Sequence, residues 1–307
     1  MKSKQEIEET LEKNRGTDFV IPMSWDVMFE QMFISKEVMP LLEYIISIFS
    51  NVDINDVKGK VKLLPNELRQ NFAKDTRSKS DIIAEYFKDE KNTDKYIVEM
   101  NSSKKMPWRN VLYAYKVASG GISIANDKYV KTYDTILINF NNFHDSKHKF
   151  IRTITMRDED GIIYDDSTII YEANMAKAKD LSYNYTNKRE EQIAIISRML
   201  MAESSVELNK ESNIIMNKKD TEKLVNRAKE LSSDDEYIRL FDEEENYKEL
   251  IRNTELAEAR EEGIKLGSKE TAIDIAKNLI KIGLTNEQIV ETTKLSIAEI
   301  DKLRKED

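Results

Sequence analysis

Residues 79–101 read KSDIIAEYFKDEKNTDKYIVEMN, and this stretch decides the fold. Two runs rich in apolar and aromatic residues, 81–87 and 96–101, flank a polar turn segment. Such a pattern predicts two antiparallel strands joined as a β-hairpin, with a loop longer than the commonest ones. Farther along the chain, TILINF at 135–140 is a continuous apolar run of strand length, which is typical of an interior strand.

Segments in which apolar residues have helical spacing flank these strands. Apolar residues recur at helical intervals over 26–50, with a break near Ser35 to Pro40, and predict two helices. Residues 107–126 predict a third helix, with Pro107 in its first turn and its end near Gly120–Gly121. The other predicted elements are a charged helix at 1–15 and strands at 61–64, 150–157 and 162–171.

The remainder of the chain has a helical pattern. Capping boxes at Thr285–Gln288 and Ser296–Glu299 start two helices, and we expect three short helices in a helix-turn-helix-like arrangement from Glu270 onward. The prediction is an α/β fold followed by a mostly α-helical C-terminal part. Its parts are a core at 1–172, a helical region with an acidic segment at 173–268, and a tail at 269–307.

Composition excludes several kinds of site. The 307 residues include no cysteine, which rules out a disulfide framework, a cysteine nucleophile, an iron–sulfur cluster and a thiolate zinc site. Two histidines are too few for a three-histidine metal centre. No stretch approaches the ~20 apolar residues of a membrane span, and the polar N-terminus lacks the apolar core of a signal peptide. We therefore expect a cytoplasmic protein with no membrane partner.

The formal net charge of −9 is unevenly distributed. Residues 60–120 contain thirteen Lys and Arg against eight Asp and Glu, whereas residues 230–263 contain four against thirteen. The middle of the chain is therefore basic enough to face phosphates, although the whole protein is acidic. Both segments could also be ordinary solvated surface.

The hairpin places three polar side chains on one face. A loop centred on Lys91 sets Asp81 opposite Asn101. A loop centred on Glu90 sets Asp81 directly opposite Glu99 instead. Both registers keep Asp81, Glu99 and Asn101 on the same face, because side chains alternate with a period of two. Directly opposed Cβ atoms are ~5 Å apart and diagonal ones ~7–8 Å.

Two carboxylates this close repel each other unless a cation lies between them, and a hard divalent ion such as Mg²⁺ suits the pair. Such an ion activates water and stabilises charge on a scissile phosphate. Several cations nearby in sequence could hold a phosphodiester backbone: Arg77, Lys79, Lys104, Lys105 and Arg109. The alternative is a solvent-facing strand pair with surface carboxylates. Against it, Glu99 interrupts an apolar run, where an acid usually needs a partner.

At these residues the chain resembles the PD-(D/E)xK nuclease superfamily, and more closely the bacterial Rpn-type group of recombination-promoting nucleases and transposases. The resemblance covers residues 24–172 well and the tail loosely. It rests on DVMF at 26–29 with Phe33, KSDII at 79–83, IVEMN at 97–101, Arg109-Asn110 with Tyr113 and Lys116, INFNNF at 138–143, and AREEG at 259–263.

The resemblance implies a restriction-endonuclease-like core, a mixed sheet flanked by helices, and Mg²⁺- or Mn²⁺-dependent hydrolysis of DNA linked to recombination or a mobile element. It makes Asp81, Glu99 and the Met100 carbonyl the metal ligands. Asn101 occupies the third motif position, most often lysine in the superfamily, and would orient the attacking water. The remaining roles are catalytic charge from Lys79 or Lys104, DNA contacts from Arg77, Lys104, Lys105, Arg109 and Lys116, and support of the site by Glu30, Asn110 and Tyr113.

Several alternatives stay open. Arg109 and Tyr113 share a helical face, where they either support phosphate or metal binding or serve as a salt-bridge partner and a core residue. The core is either an active nuclease or an inactive module that binds DNA or protein. Its substrate is either DNA or RNA, because phosphate chemistry alone does not select the sugar. The helices over 220–282 suit a homo-oligomer formed through the C-terminal helices.

Overall fold

The structure is a computed structural model that describes residues 3–306 except 66, 69–77, 91, 102–106, 126–127, 144–147 and 181–183. Its strands are β1 (Val61–Leu64), β2 (Glu67–Leu68), β3 (Ser78–Lys79), β4 (Ile82–Phe87), β5 (Thr93–Asn101), β6 (Ile122–Ala125), β7 (Lys128–Lys131), β8 (Tyr133–Asn141), β9 (Ile151–Arg157) and β10 (Ile163–Asn174). Its helices are α1 (Lys4–Lys13), α2 (Asp26–Phe33), α3 (Met39–Ser50), α4 (Ile54–Val57), α5 (Pro107–Ser119), α6 (Met175–Ala178), α7 (Lys188–Met201), α8 (Ser205–Ile215), α9 (Lys218–Leu231), α10 (Asp234–Lys281), α11 (Asn286–Thr293) and α12 (Ile297–Glu306).

Six of the described strands form one mixed sheet in the order β1-β4-β5-β8-β10-β9. β5, β8 and β10 run parallel at its centre, whereas β4 is antiparallel to both of its neighbours and β9 is antiparallel to β10. The predicted α/β class, with a mixed sheet flanked by helices and a helical C-terminal part, is confirmed. The apolar run at 135–140 lies in β8, between two other strands, as its composition predicted.

The hairpin of β4 and β5 adopts the second of the two expected registers. Ile82 pairs with Val98 and Ile83 with Ile97. Continued by one pair, this register sets Asp81 opposite Glu99. β5 begins at Thr93, three residues before the predicted start, so the connecting turn is shorter than expected.

The two faces of β5 enter different apolar clusters. Tyr96, Val98 and Met100 point into the larger one, to which α2, α3, α7 and α9 contribute their apolar sides. Ile97 points to the other face and packs with Tyr113 and other residues of α5 in a smaller cluster. Helix α5 therefore covers one face of the sheet, and α2, α3, α7 and α9 cover the other.

Every described element after Asn174 is helical. Residues up to Glu243 form one compact unit, and residues from Glu244 form a second. In the second unit, both predicted capping boxes are present, at Thr285 and Ser296. The prediction of three short helices is wrong for the first of them, which is the end of the 48-residue α10. No helix in the described ranges is long and apolar enough to span a bilayer.

Candidate functional site

Polar side chains gather where the three parallel strands end. On the face covered by α5, Ile97, Leu137 and Ile170 form an apolar row across the sheet. The next two rows on the same face are Glu99–Asn139–Glu172 and Asn101–Asn141–Asn174. In α/β sheets, ligands bind beyond the carboxyl ends of parallel strands. The change from apolar to polar rows therefore occurs where a site is expected.

Glu99 is more deeply buried than Glu172, the other acid of these rows, with 1% of its surface exposed. Its Oε1 accepts hydrogen bonds from the Ser80 hydroxyl at 2.5 Å and from the Asp81 backbone N–H at 3.1 Å. Its Oε2 lies 3.5 Å from Nη2 of Arg109. A carboxylate withdrawn from water needs such donors to remain charged. The alternative of a solvent-facing carboxylate pair is therefore wrong for Glu99.

Asp81 lies immediately before β4 and is half-buried. Its Oδ2 accepts the backbone N–H of Met100 at 2.7 Å. This side-chain hydrogen bond joins the two segments of the hairpin just before β4 begins. Hydrogen bonds to the backbone thus hold both carboxylates at the end of the hairpin. Asp81 accepts the N–H of Met100, and Glu99 accepts the N–H of Asp81.

Asn101 is buried one position beyond Met100 on β5. Its Oδ1 accepts a hydrogen bond from Nη2 of Arg109 at 2.7 Å, and its Nδ2 donates to Oδ1 of Asn141 at 2.9 Å. A longer contact of 3.5 Å joins its Nδ2 to Oδ1 of Asn139. The described contacts of Asn101 therefore position Arg109. Its role in orienting water stays a prediction.

Arg109, in the first turns of α5, is the cation of the site. One guanidinium nitrogen, Nη2, reaches both Glu99 and Asn101. The guanidinium also lies 5.5 Å from the ring centre of Tyr113, one turn farther along the helix. Of the two interpretations left open for Arg109, this structure shows the salt bridge, made to Glu99, and the contact with phosphate stays a prediction.

Tyr113 is a core residue, which is one of the two interpretations that its position left open. Its ring packs in the core under α5, with Ile97 and Leu137. Burial raises the pKa of the Tyr113 hydroxyl, the cation of Arg109 opposes the rise, and the negative charges of Glu99 and Asp81 add to it. The ring is thus part of the core, and the hydroxyl is close enough to Arg109, Glu99 and Asp81 for their charges to affect its pKa.

The residues present fit a divalent metal ion of the kind that the sequence resemblance implies. Asp81 and Glu99 occupy opposed positions at the end of the hairpin, and Mg²⁺ is typically held by one or two carboxylates with several waters. In an antiparallel pair, the N–H and C=O of one residue point to the same neighbour, so the Met100 carbonyl faces the side of Asp81. Among the described residues, no group of three or more His, Cys, Asp and Glu could hold a metal. An ion here would thus rely on these two acids, the Met100 carbonyl and water.

Sequence reasoning gave no role to Ser80, Asn139 or Asn141. Ser80 and Asn139 are fully buried. The signal was available for the two asparagines, because they interrupt the apolar strand β8 at alternate positions and therefore face the same side as Leu137. Ser80 had no comparable signal, since its contact with Glu99 depends on how the chain enters β4.

The other predicted site residues are not part of the described contact network around Glu99. Arg77, Lys104 and Lys105 lie outside the described residues, and the structure describes the backbone of Lys79, in β3, but not its side chain. Lys116 lines a separate groove of about 620 Å³ between α5, the β6–β7 hairpin and β10. Asn110 and Glu30 are half-buried on α5 and on α2, and α2 packs against α9.

Comparison of the chain with known protein families, with curated proteins and with solved structures found no match.

Proposed function

We propose that the chain is a divalent-metal-dependent endonuclease that hydrolyses phosphodiester bonds of DNA in the cytoplasm. The observation that carries the proposal is the meeting of buried Glu99 and half-buried Asp81 beside the guanidinium of Arg109, at the carboxyl ends of parallel strands. Facing acids of this kind favour a bound cation. The reaction, DNA as the substrate and the link to recombination or a mobile element come from the sequence resemblance.

The residues would divide the work in the following way. Asp81, Glu99 and the Met100 carbonyl hold Mg²⁺ or Mn²⁺, which supplies an activated water and neutralises charge on the phosphate when it is bound. Arg109 fixes Glu99 and Asn101 and adds positive charge beside the phosphate, which compensates for the uncharged amide of Asn101. The cations of the 60–120 segment, among them Arg77, Lys79, Lys104, Lys105 and Lys116, hold the nucleic-acid backbone.

Cleavage of supercoiled plasmid tests the proposal. Wild type should nick or linearise the plasmid with Mg²⁺ or Mn²⁺ and not with EDTA, and Asp81→Ala should not cut although it folds normally. Asp94→Asn is the matched control, because Asp94 is a buried acid on the same strand and at its other end. Undiminished cutting by Asp81→Ala would refute the assignment. A parallel incubation with single-stranded RNA tests whether the sugar matters.

A second candidate is an inactive nuclease-like module that binds DNA or protein. The observation that favours it is the engagement of the Asn101 amide with Arg109 and Asn141, at the position where the superfamily most often has a lysine. This candidate predicts that well-folded wild type retards DNA or a partner protein but leaves the plasmid uncut with either metal. Cutting that requires both metal and Asp81 would exclude it.

A further inference from the structure

One edge of the main sheet is open in the described part of the chain. β9 has β10 on one side and no described strand on the other. Its sequence, IRTITMR, contains no proline, and its only charges are two arginines. Ile154 and Met156 are 41% and 40% exposed on this strand. Its pairing with β10 shifts register between Ile154 and Met156, but β9 itself remains a strand from Ile151 to Arg157. A free edge of this kind offers unpaired backbone groups to another strand.

The residue types of β9 are nearly symmetric about Ile154, which has a threonine on either side. A second copy paired antiparallel at this centre sets Ile154 against Ile154 and Thr153 against Thr155. The same register sets Arg152 against Met156, whose side chain can cover the arginine stem. Apolar pairs and threonine pairs are favourable directly across an antiparallel ladder, and no like charges face each other.

The segments that flank β9 carry opposite charges at matching distances from the centre. Lys149 lies two residues before the strand, and Glu159 lies two residues after it, in the turn that leads to β10, so their long side chains would come within reach of each other in the second copy. Both residues are exposed and have no charged partner in the described part of the chain. A dimer would therefore contain this ion pair twice.

Neighbouring registers lack this match. Centring the pair on Thr153 would set Lys149 against Arg157, which is a repulsive contact. Centring it on Thr155 would set Glu159 against the apolar Ile151. Registers that pair an even-numbered residue with an odd-numbered one are excluded, because directly opposed residues must point to the same face.

We infer that β9 is the contact of a homodimer, in which two copies of this chain pair antiparallel about Ile154 and join their six-stranded sheets. The partner is a second copy because backbone pairing, side-chain pairing and flanking charges are all satisfied by the same two-fold arrangement. This inference does not depend on the proposed nuclease activity.

Single-cysteine variants of the full chain test the register directly. The wild type has no cysteine, so an introduced thiol can form a disulfide only with its copy in the partner. In the inferred register Ile154→Cys faces itself, and opposed Cβ atoms are close to disulfide distance. Met156→Cys, which is equally exposed, would lie about 13 Å from its copy, four residues away along the strand. Mild oxidation should therefore cross-link Ile154→Cys rapidly and Met156→Cys slowly.

Charge reversal supplies the second arm, measured by sedimentation velocity over a range of concentrations. Lys149→Glu and Glu159→Lys should each weaken the wild-type dimer, about tenfold in Kd, and the double variant should restore it because the pairs re-form with exchanged signs. A wild type that stays monomeric, equal cross-linking of the two cysteine variants, or a double variant as weak as the single ones would each overturn the inference.

Discussion

The two ends of β5 each bury an acid, and they do so in different ways. Asp94, near the start of the strand, is 4% exposed, and its carboxylate pairs with Lys88 Nζ at 2.7 Å across the short turn of the hairpin. Glu99, near the end, is met by Ser80, by the backbone of Asp81 and by Arg109 from α5. Each acid has a second carboxylate near it, Asp134 opposite Asp94 and Asp81 opposite Glu99, but Asp134 pairs with a lysine of its own, Lys131.

This difference shows that burial of a charge does not by itself indicate a functional site. The lysine that pairs with Asp94 is six residues away in sequence, across the turn of the hairpin, and the lysine that pairs with Asp134 is three residues away. The partners of Glu99 come from two separate segments of the chain, and the amides of Asn139 and Asn141 continue the polar surface across the next strand. Partners from distant segments distinguish the pair of acids at the carboxyl end of β5 from the pair at its other end, where each acid has a lysine close to it in sequence.

The largest effect is expected at the carboxyl end. Glu99→Gln keeps the size of the side chain but removes one charge from the proposed metal site. We expect metal-dependent cleavage to fall by more than the roughly 10–100-fold that is typical for partners of metal ligands. Asp94→Asn, the same change at the other end of the strand, should leave the rate within about twofold in the plasmid assay. Equal losses in the two variants would mean that Glu99 contributes no more to cleavage than a buried acid at the other end of the strand.

A smaller effect, in stability, is expected for Arg109→Ala. Removal of the guanidinium leaves Glu99 without its cation and should lower the free energy of unfolding by about 1–3 kcal/mol without metal. Mg²⁺ should then raise the melting temperature of Arg109→Ala more than that of wild type, because a bound ion takes over the neutralisation.

Arg152→Ala is the matched control for this measurement. Arg152 pairs with buried Glu172, in the same polar row as Glu99, but this acid has Asn139 and Arg152 rather than a second acid as its cross-strand neighbours. Its loss should destabilise the fold to a similar degree, and Mg²⁺ should not restore it. Equal rescue of both variants by Mg²⁺ would contradict a specific site at Glu99.

The smallest effect concerns the pH dependence of stability at the other end. Burial raises the pKa of Asp94 above its ordinary value of 3.8, and the hydrogen bond from Lys88 opposes this rise. The folded state therefore holds this proton more tightly than the unfolded state, so the contribution of Asp94 to stability falls as the pH rises from 3.8 through its folded pKa. Stability curves of wild type and Asp94→Asn should diverge over that range in favour of the variant. Parallel curves would contradict the shift.

Much of the fold was predictable from local patterns. The break between α2 and α3, the end of α5 before Gly120 and the capping box at Thr285 all follow from residue types that fix the backbone locally. The β6–β7 hairpin was missed because the residues of β6 were included in the segment of the preceding helix and those of β7 were assigned to no element. The length of α10 was also missed, since local patterns do not show where one helix continues into another.

The site was predictable to the extent that it depends on strand alternation. Parity alone placed Asp81, Glu99 and Asn101 on one face, and the two possible turn centres left only the register open. The contact of Arg109 with Glu99 depends on how α5 docks on the sheet, which sequence spacing does not specify. For this reason the sequence left open whether Arg109 supports phosphate or metal binding or makes a salt bridge.

The most direct test of the central claim, that Asp81 and Glu99 form a divalent-cation site, is a calorimetric titration with Mn²⁺. Wild type and Asp94→Asn should show the same saturable binding, and Asp81→Ala and Glu99→Gln should show none. Equal binding by all four proteins, or no binding by folded wild type, would contradict the account.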